Sequence, residues 1–169
     1  AQVLPQAQPL TLFEAICDLT DDPVMRLSAL LPADVAGVME IAGGLRLSNA
    51  VRDRLAAAVA DGPAVSPTMS DAEARAAIYR LGRRVFEDRL MRAEAAGRGD
   101  GARLRALAAG WTPPKMPVGG RDLARLGLTP GPETGRLLKA FEDGWVADDF
   151  PAEGHEARLK TLIATAERG

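Results

Sequence analysis

The sequence predicts an all-α fold, a bundle-like array of about eight or nine helices with no sheet. Three observations predict it. Hydrophobic residues make up 47% of the chain but aromatics only 4%, so the apolar content is mostly Ala, Leu and Val, a mixture that favours helix over sheet. Apolar residues recur three and four positions apart, and no Val/Ile-rich alternating run is present. Gly, Pro and short polar residues fall where those runs begin and stop. No fixed-period repeat is visible.

The elements follow in order. The first ten residues hold two Pro and three Gln and begin with Ala1, which reads as a cut or processed start. Thr11 to Asp18 carries a short helical pattern through Leu12, Ile16 and Leu19. Asp22-Pro23 is a helix start, an acidic N-cap followed by Pro at the first helical position. That helix puts Met25, Leu27, Leu30 and Leu31 near its buried side and stops at Pro32. Asp34 opens the next, which ends at Gly43-Gly44. Ser48 caps a helix over 50–60, with Val51, Leu55 and Val59 on one face. The Gly- and Pro-containing stretch 61–69 reads as a linker, dividing the chain into helical segments 1–60 and 70–169.

Ser70-Asp-Ala-Glu73 is a capping box and starts the longest predicted helix, 71–96, with Ile78, Leu81, Val85 and Leu90 as apolar contacts. After Gly97 to Gly101 comes a short helix, 102–109. Trp111 to Gly120 holds three prolines and reads as a crossing or loop. Asp122 is placed to cap a short helix, Leu123 to Leu126, with Gly127 as its left-handed C′ residue. Gly131-Pro132 begins the next helix, whose Leu137, Leu138, Phe141 and Trp145 form an apolar stripe. The last helix shows Leu159, Leu162, Ile163 and Ala166 at helical spacing.

Charge and composition exclude several function classes. The formal net charge of −2 argues against a strongly basic nucleic-acid module. Its distribution is uneven: residues 1–44 carry one Arg against six acids, and 45–110 carry twelve Arg against eight acids. That middle segment suits contact with phosphate, and equally suits solvated helix faces. No export signal or membrane-length apolar run is evident, and the lone Cys17 reads as a buried structural thiol among Phe13, Ile16 and Leu19. A cytoplasmic location is therefore expected. No Walker loop, Ser/His/Asp arrangement or zinc spacing is present. His155, the only histidine, suits a surface or capping role better than metal binding. Tyr79 and Phe86, seven apart, read as core, and Trp111 is a further aromatic able to stack on a base.

The stretch Gly120 to Leu138 is the most informative. Gly135, one turn into its helix, stands where Ala would be more favourable by about 1 kcal/mol, which points to a close approach by another backbone. Two readings stay open. In one, the segment is a tight αα-corner; in the other, free N–H groups near Gly131 to Thr134 face a phosphate. Arg80, Arg83 and Arg84 are the phosphate candidates upstream, although Glu87 is placed to pair with Arg83 or Arg84.

Gly120-x-Asp122-Leu123 with Gly127-x-x-Pro130-Gly131-Pro132-x-x-Gly135-x-x-Leu138 resembles the tail-region pattern of bacterial class II tRNA nucleotidyltransferases (CCA-adding enzymes) and related poly(A) polymerases. Leu45 to Leu55, with its Leu47-Ser48-Asn49, is similar to their body region, and Asp22 to Leu31 to the helix ahead of it. The three blocks occur in the family's order. The resemblance implies neck/body-like and body/tail-like segments that hold tRNA by its backbone, with Arg80, Arg83, Arg84, Arg121, Gly131, Gly135 and Arg136 as RNA contacts. It implies a catalytic head outside this chain, supplied with Mg²⁺ and with CTP or ATP, so these residues alone are expected to be inactive and to hold no cofactor. Gly119-Gly120-Arg121-Asp122 echoes the head's turn and Arg-Asp pair, but a paired-metal site needs converging carboxylates, and the chain has no Asp-x-Asp. The alternative is a helical scaffold or oligomerisation module with no RNA contact.

Overall fold

A computed structural model describes residues 10–166. Ten helices and no strand occur among them, so the chain is all-α. They form two compact units divided between Trp111 and Thr112. The first unit holds α1 (Leu10–Leu19), α2 (Pro23–Ser28), α3 (Val35–Gly44), α4 (Asn49–Val59), α5 (Asp71–Leu81), α6 (Arg83–Ala95) and α7 (Ala102–Gly110). The second holds α8 (Gly120–Arg125), α9 (Pro132–Ala147) and α10 (His155–Ala166).

Local chemistry sets most helix starts in the first unit. The Asp22 carboxylate accepts from the Val24 N–H at 2.9 Å with Pro23 behind it, and Asp34 accepts from Gly37 at 2.8 Å. At α4 the Ser48 hydroxyl accepts from Val51, and at α5 both halves of the Ser70/Glu73 capping box form. Each such cap contributes on the order of 1 kcal/mol by satisfying a donor that the helix cannot.

Two expected boundaries are corrected. The predicted 71–96 helix breaks at Gly82, whose φ of +79° with ψ of 151° lies outside helix and is open mainly to glycine. This break makes ten helices where eight or nine were expected. The second helix closes at Ser28 rather than running to Pro32, its end tightened by i→i−3 bonds from Ala29 to Arg26 and Leu30 to Leu27.

In this unit α6 is the central element, packing on α1, α4, α5 and α7. Phe86 and Leu90 are fully buried with Ile78, Leu104 and Ala108. On another side Met91 and Ala95 cover Ile16, Met25 and Ala29. A third cluster joins Leu31, Val38 and Leu55. The stretch 61–69 lies within this unit, where Val65 is buried in the cluster around Phe86. Tyr79 is half-buried, and Trp111 packs against the same cluster. Cys17 is half-buried rather than enclosed.

Polar groups also join the helices. Arg54 on α4 donates through Nε and Nη2 to the two Asp88 oxygens at 2.7 and 2.8 Å, and pairs with Asp22 at 2.6 Å. Only 6% of the Asp88 side chain is exposed, so this fork supplies the partner that a buried carboxylate requires.

In the second unit Leu137, Phe141, Trp145 and Val146 of α9 are buried, as are Leu123 and Leu159. Leu138 is half-buried, and on α10 only Leu159 is buried while Leu162 and Ile163 are half-exposed. The Trp145 indole N–H donates to the Pro151 carbonyl at 3.0 Å, and Phe150 meets its ring edge-to-face. His155 is half-buried against the edge of Phe141, so its place is in this packing rather than at the surface.

Candidate nucleic-acid interface

The seven sequence-derived candidates fall into both units. Arg80, Arg83 and Arg84 lie in the first; Arg121, Gly131, Gly135 and Arg136 lie in the second.

The break at Gly82 places Arg80 in the last turn of α5 and Arg83 and Arg84 in the first turn of α6. All three are exposed. Arg83 pairs with Glu87 at 2.9 Å, the i,i+4 contact that its spacing allowed. Arg83 and Arg84 border a cleft of about 510 Å³ that also reaches Arg54, Asp22, Glu87 and Asp88. Three arginines here face three carboxylates, so the cleft is close to charge-balanced. Its base is tightly held. The Asp88 hydrogen bonds raise the Arg54 pKa against the opposing effect of burial, with Asp22 adding to them. For Asp22 burial pushes the pKa up, but the Arg54 hydrogen bond and the Val24 N–H outweigh it and hold the carboxyl below its ordinary value. Arg54 is thus occupied within the fold, and Arg84 is the cation at this rim with no ion pair among the described residues.

In the second unit the hairpin forms with two changes. Gly127 takes φ of +92°, the left-handed conformation expected of it, and the Leu128 N–H reaches back to the Leu123 carbonyl at 3.1 Å. The helix before it begins at Gly120, however, so Asp122 is not the N-cap. It sits one turn inside and its carboxylate accepts from the Gly119 N–H at 2.8 Å, the back-reaching half of a capping box. Arg121 is exposed beside it.

Gly131 is the N-cap of α9, in an extended conformation that any residue adopts, and Pro132 is the first helical residue. The Thr134 N–H is directed to the Gly131 carbonyl at 3.1 Å, and Glu133 supplies a carboxylate in the first turn. Arg136 pairs with Glu133 at 3.3 Å across the same turn. The hairpin is therefore partly self-neutralised.

The expected close approach at Gly135 is absent among the described residues: a Cβ built there meets none of them within 4 Å. The glycine of this helix that does have a close neighbour is Gly144, where a Cβ would lie 2.9 Å from the Arg158 guanidinium. Arg158 in turn pairs with Asp148.

Two arginines that sequence reasoning passed over have the most distinctive settings. Arg89 donates from Nε and Nη2 to the Ala57 carbonyl at 3.0 and 2.9 Å, and from Nη1 to Pro63 at 3.3 Å. Arg92 donates from Nη1 to the carbonyl and hydroxyl of Ser28. Their partners lie 26 to 64 positions away, so no local pattern points to them. The one signal in the sequence is their i,i+3 spacing within the predicted 71–96 helix.

No protein-family model matches the chain, and no curated protein matches it.

Proposed function

We propose that the chain is a non-catalytic, helical tRNA-binding part of a tRNA nucleotidyltransferase that builds the 3′ CCA end, or of a related poly(A) polymerase, whose catalytic head lies outside these residues. The observation that carries the reading is the order of three motif blocks, Asp22 to Leu31, Leu45 to Leu55 and Gly120 to Leu138. Each coincides with a helix start or turn that its own residues explain: the Asp22-Pro23 cap, the Ser48 cap, and the Gly127/Gly131-Pro132 hairpin. Arg80, Arg83, Arg84, Arg121 and Arg136 are all exposed and suit backbone phosphate, with Arg83 and Arg136 exchanging Glu87 and Glu133 for it. Binding of this kind is insensitive to sequence and falls steeply with salt. The location proposed with it is cytoplasmic; among the described residues no helix is long and apolar enough to cross a membrane.

Titrating the chain with tRNA at increasing salt, with duplex DNA of equal length as control, tests the proposal. Preferential tRNA binding at low salt supports it, and no binding there contradicts it. A second reading, a scaffold or self-association module, is favoured by the exposed apolar residues Leu19, Val35, Met39 and Leu45. It predicts a dimer by sedimentation and no tRNA affinity.

A further inference from the structure

The first unit contains a second cleft, of about 440 Å³, between the end of α4, the following 60–65 stretch and the outer face of α6. Arg89, Arg92 and Arg98 line it, and among the described residues Asp61 is the one acid that does. Its size falls in the range of sites that hold small ligands.

The settings of these arginines make the cleft unlike the balanced one near Arg54. Arg89 and Arg92 are partly buried, yet neither has a carboxylate within ion-pair distance among the described residues. Their partners are backbone carbonyls, Ala57 in the last turn of α4 and Ser28 at the end of α2, together with Pro63 and the Ser28 hydroxyl. These bonds have a structural role, since cations suit the ends of helices where carbonyls are unpaired. They do not exhaust the donors. A guanidinium carries five N–H groups. Arg89 spends three of them, and the Nε and Nη2 of Arg92 make no hydrogen bond among the described residues. Burial pushes both pKa values down, with Asp61 the only countering charge and acting on Arg89 alone. Two partly desolvated cations with spare donors gain most from an anion. Arg98, exposed just past α6, adds a third positive charge at the opening.

We propose that this cleft is a phosphate-binding site that takes an RNA backbone phosphodiester, with Arg89 and Arg92 as fixed donors and Arg98 as an outer clamp. The proposal rests on the tRNA-binding reading for the identity of the ligand, and it names a contact that the sequence motifs do not contain. Substituting Arg89 or Arg92 would also remove helix-end contacts, so the test uses positions without structural bonds. Arg98 and Ala64 are both exposed at the cleft. Arg98→Glu and Ala64→Glu each place a carboxylate at its mouth, and Lys115→Glu, at an exposed position outside the cleft and outside the three motif blocks, changes net charge as much as Arg98→Glu does. Thermal unfolding of each variant accompanies the binding measurement.

With labelled tRNA at low salt, Arg98→Glu and Ala64→Glu should bind at least tenfold more weakly than Lys115→Glu at unchanged unfolding midpoints. The slope of log affinity against log salt should fall by about one for Arg98→Glu. If wild type binds tRNA and the two cleft variants match Lys115→Glu, the cleft proposal is overturned while the RNA-binding reading stands. If wild type does not bind tRNA, both are overturned. Binding of inorganic phosphate that Arg98→Glu abolishes, without any change in tRNA affinity, would give the cleft to free anions and overturn its assignment to RNA.

Discussion

Replacing Arg54 with Ala isolates the strongest polar tie between distant parts of the first unit. The side chain is 13% exposed and its main partner Asp88 6% exposed, with two hydrogen bonds between them and a third contact to Asp22. Had the pair been at the surface, its loss would be worth about 0.2–1 kcal/mol. Here the truncation leaves a buried carboxylate without its counter-ion, and such losses run to about 3–5 kcal/mol. With a urea m value of about 2 kcal/mol/M, a 4 kcal/mol loss lowers the unfolding midpoint by about 2 M. Urea unfolding followed by far-ultraviolet circular dichroism reads this directly. The companion variant Arg54→Met/Asp88→Leu removes both charges and fills the same space, so it should recover most of the loss. A single variant within 1 kcal/mol of wild type, or a double variant no more stable than the single, would refute the reasoning that Asp88 depends on Arg54.

Three further outcomes follow from the same structure. Gly82→Ala should destabilise the first unit by about 1–3 kcal/mol, because φ of +79° strains any L side chain even though a Cβ meets no neighbour there; an unchanged urea midpoint would show that the α5–α6 break does not need glycine. Gly135→Ala should instead raise stability by about 0.5–1 kcal/mol, since the position is inside α9 with open space around it, and a thermal midpoint that falls would contradict this. The Asp22 carboxyl has a folded pKa below its unfolded value of about 3.8, so its contribution is present above that pH and is lost as pH falls through the folded value. Unfolding measured across the acid range should therefore give a shallower pH dependence for Asp22→Asn, which keeps an N-cap but does not titrate, and equal slopes would contradict the coupling.

Legibility in the sequence followed distance along the chain. Caps at Asp22, Asp34, Ser48 and Ser70 were readable because each acts on a donor two or three residues away. Gly127 and Pro132 were readable for the same reason, each answering a backbone need at its own position. Gly82 was not, because the apolar period continues on both sides of it and a single glycine costs a helix only about 1 kcal/mol. Gly135 shows the opposite error: glycine in a helix suggests a close neighbour, but only the fold places that neighbour, and it is at Gly144. Asp122 was read as a cap on local grounds, and one residue pair, Gly119-Gly120, moved the helix start past it. The candidate arginines at 80, 83 and 84 were legible as a cluster, and Arg83 as a partner for Glu87. The Arg54 fork and the Arg89/Arg92 cleft were not, because a partner 26 to 64 residues away leaves no periodic trace.

The most direct test of the central claim is the affinity of the purified chain for tRNA as a function of salt. Binding at low ionic strength should exceed binding to duplex DNA of equal length, with log affinity falling linearly against log salt as phosphate contacts are lost. Absence of tRNA binding at low salt, or equal affinity for tRNA and DNA, would contradict it.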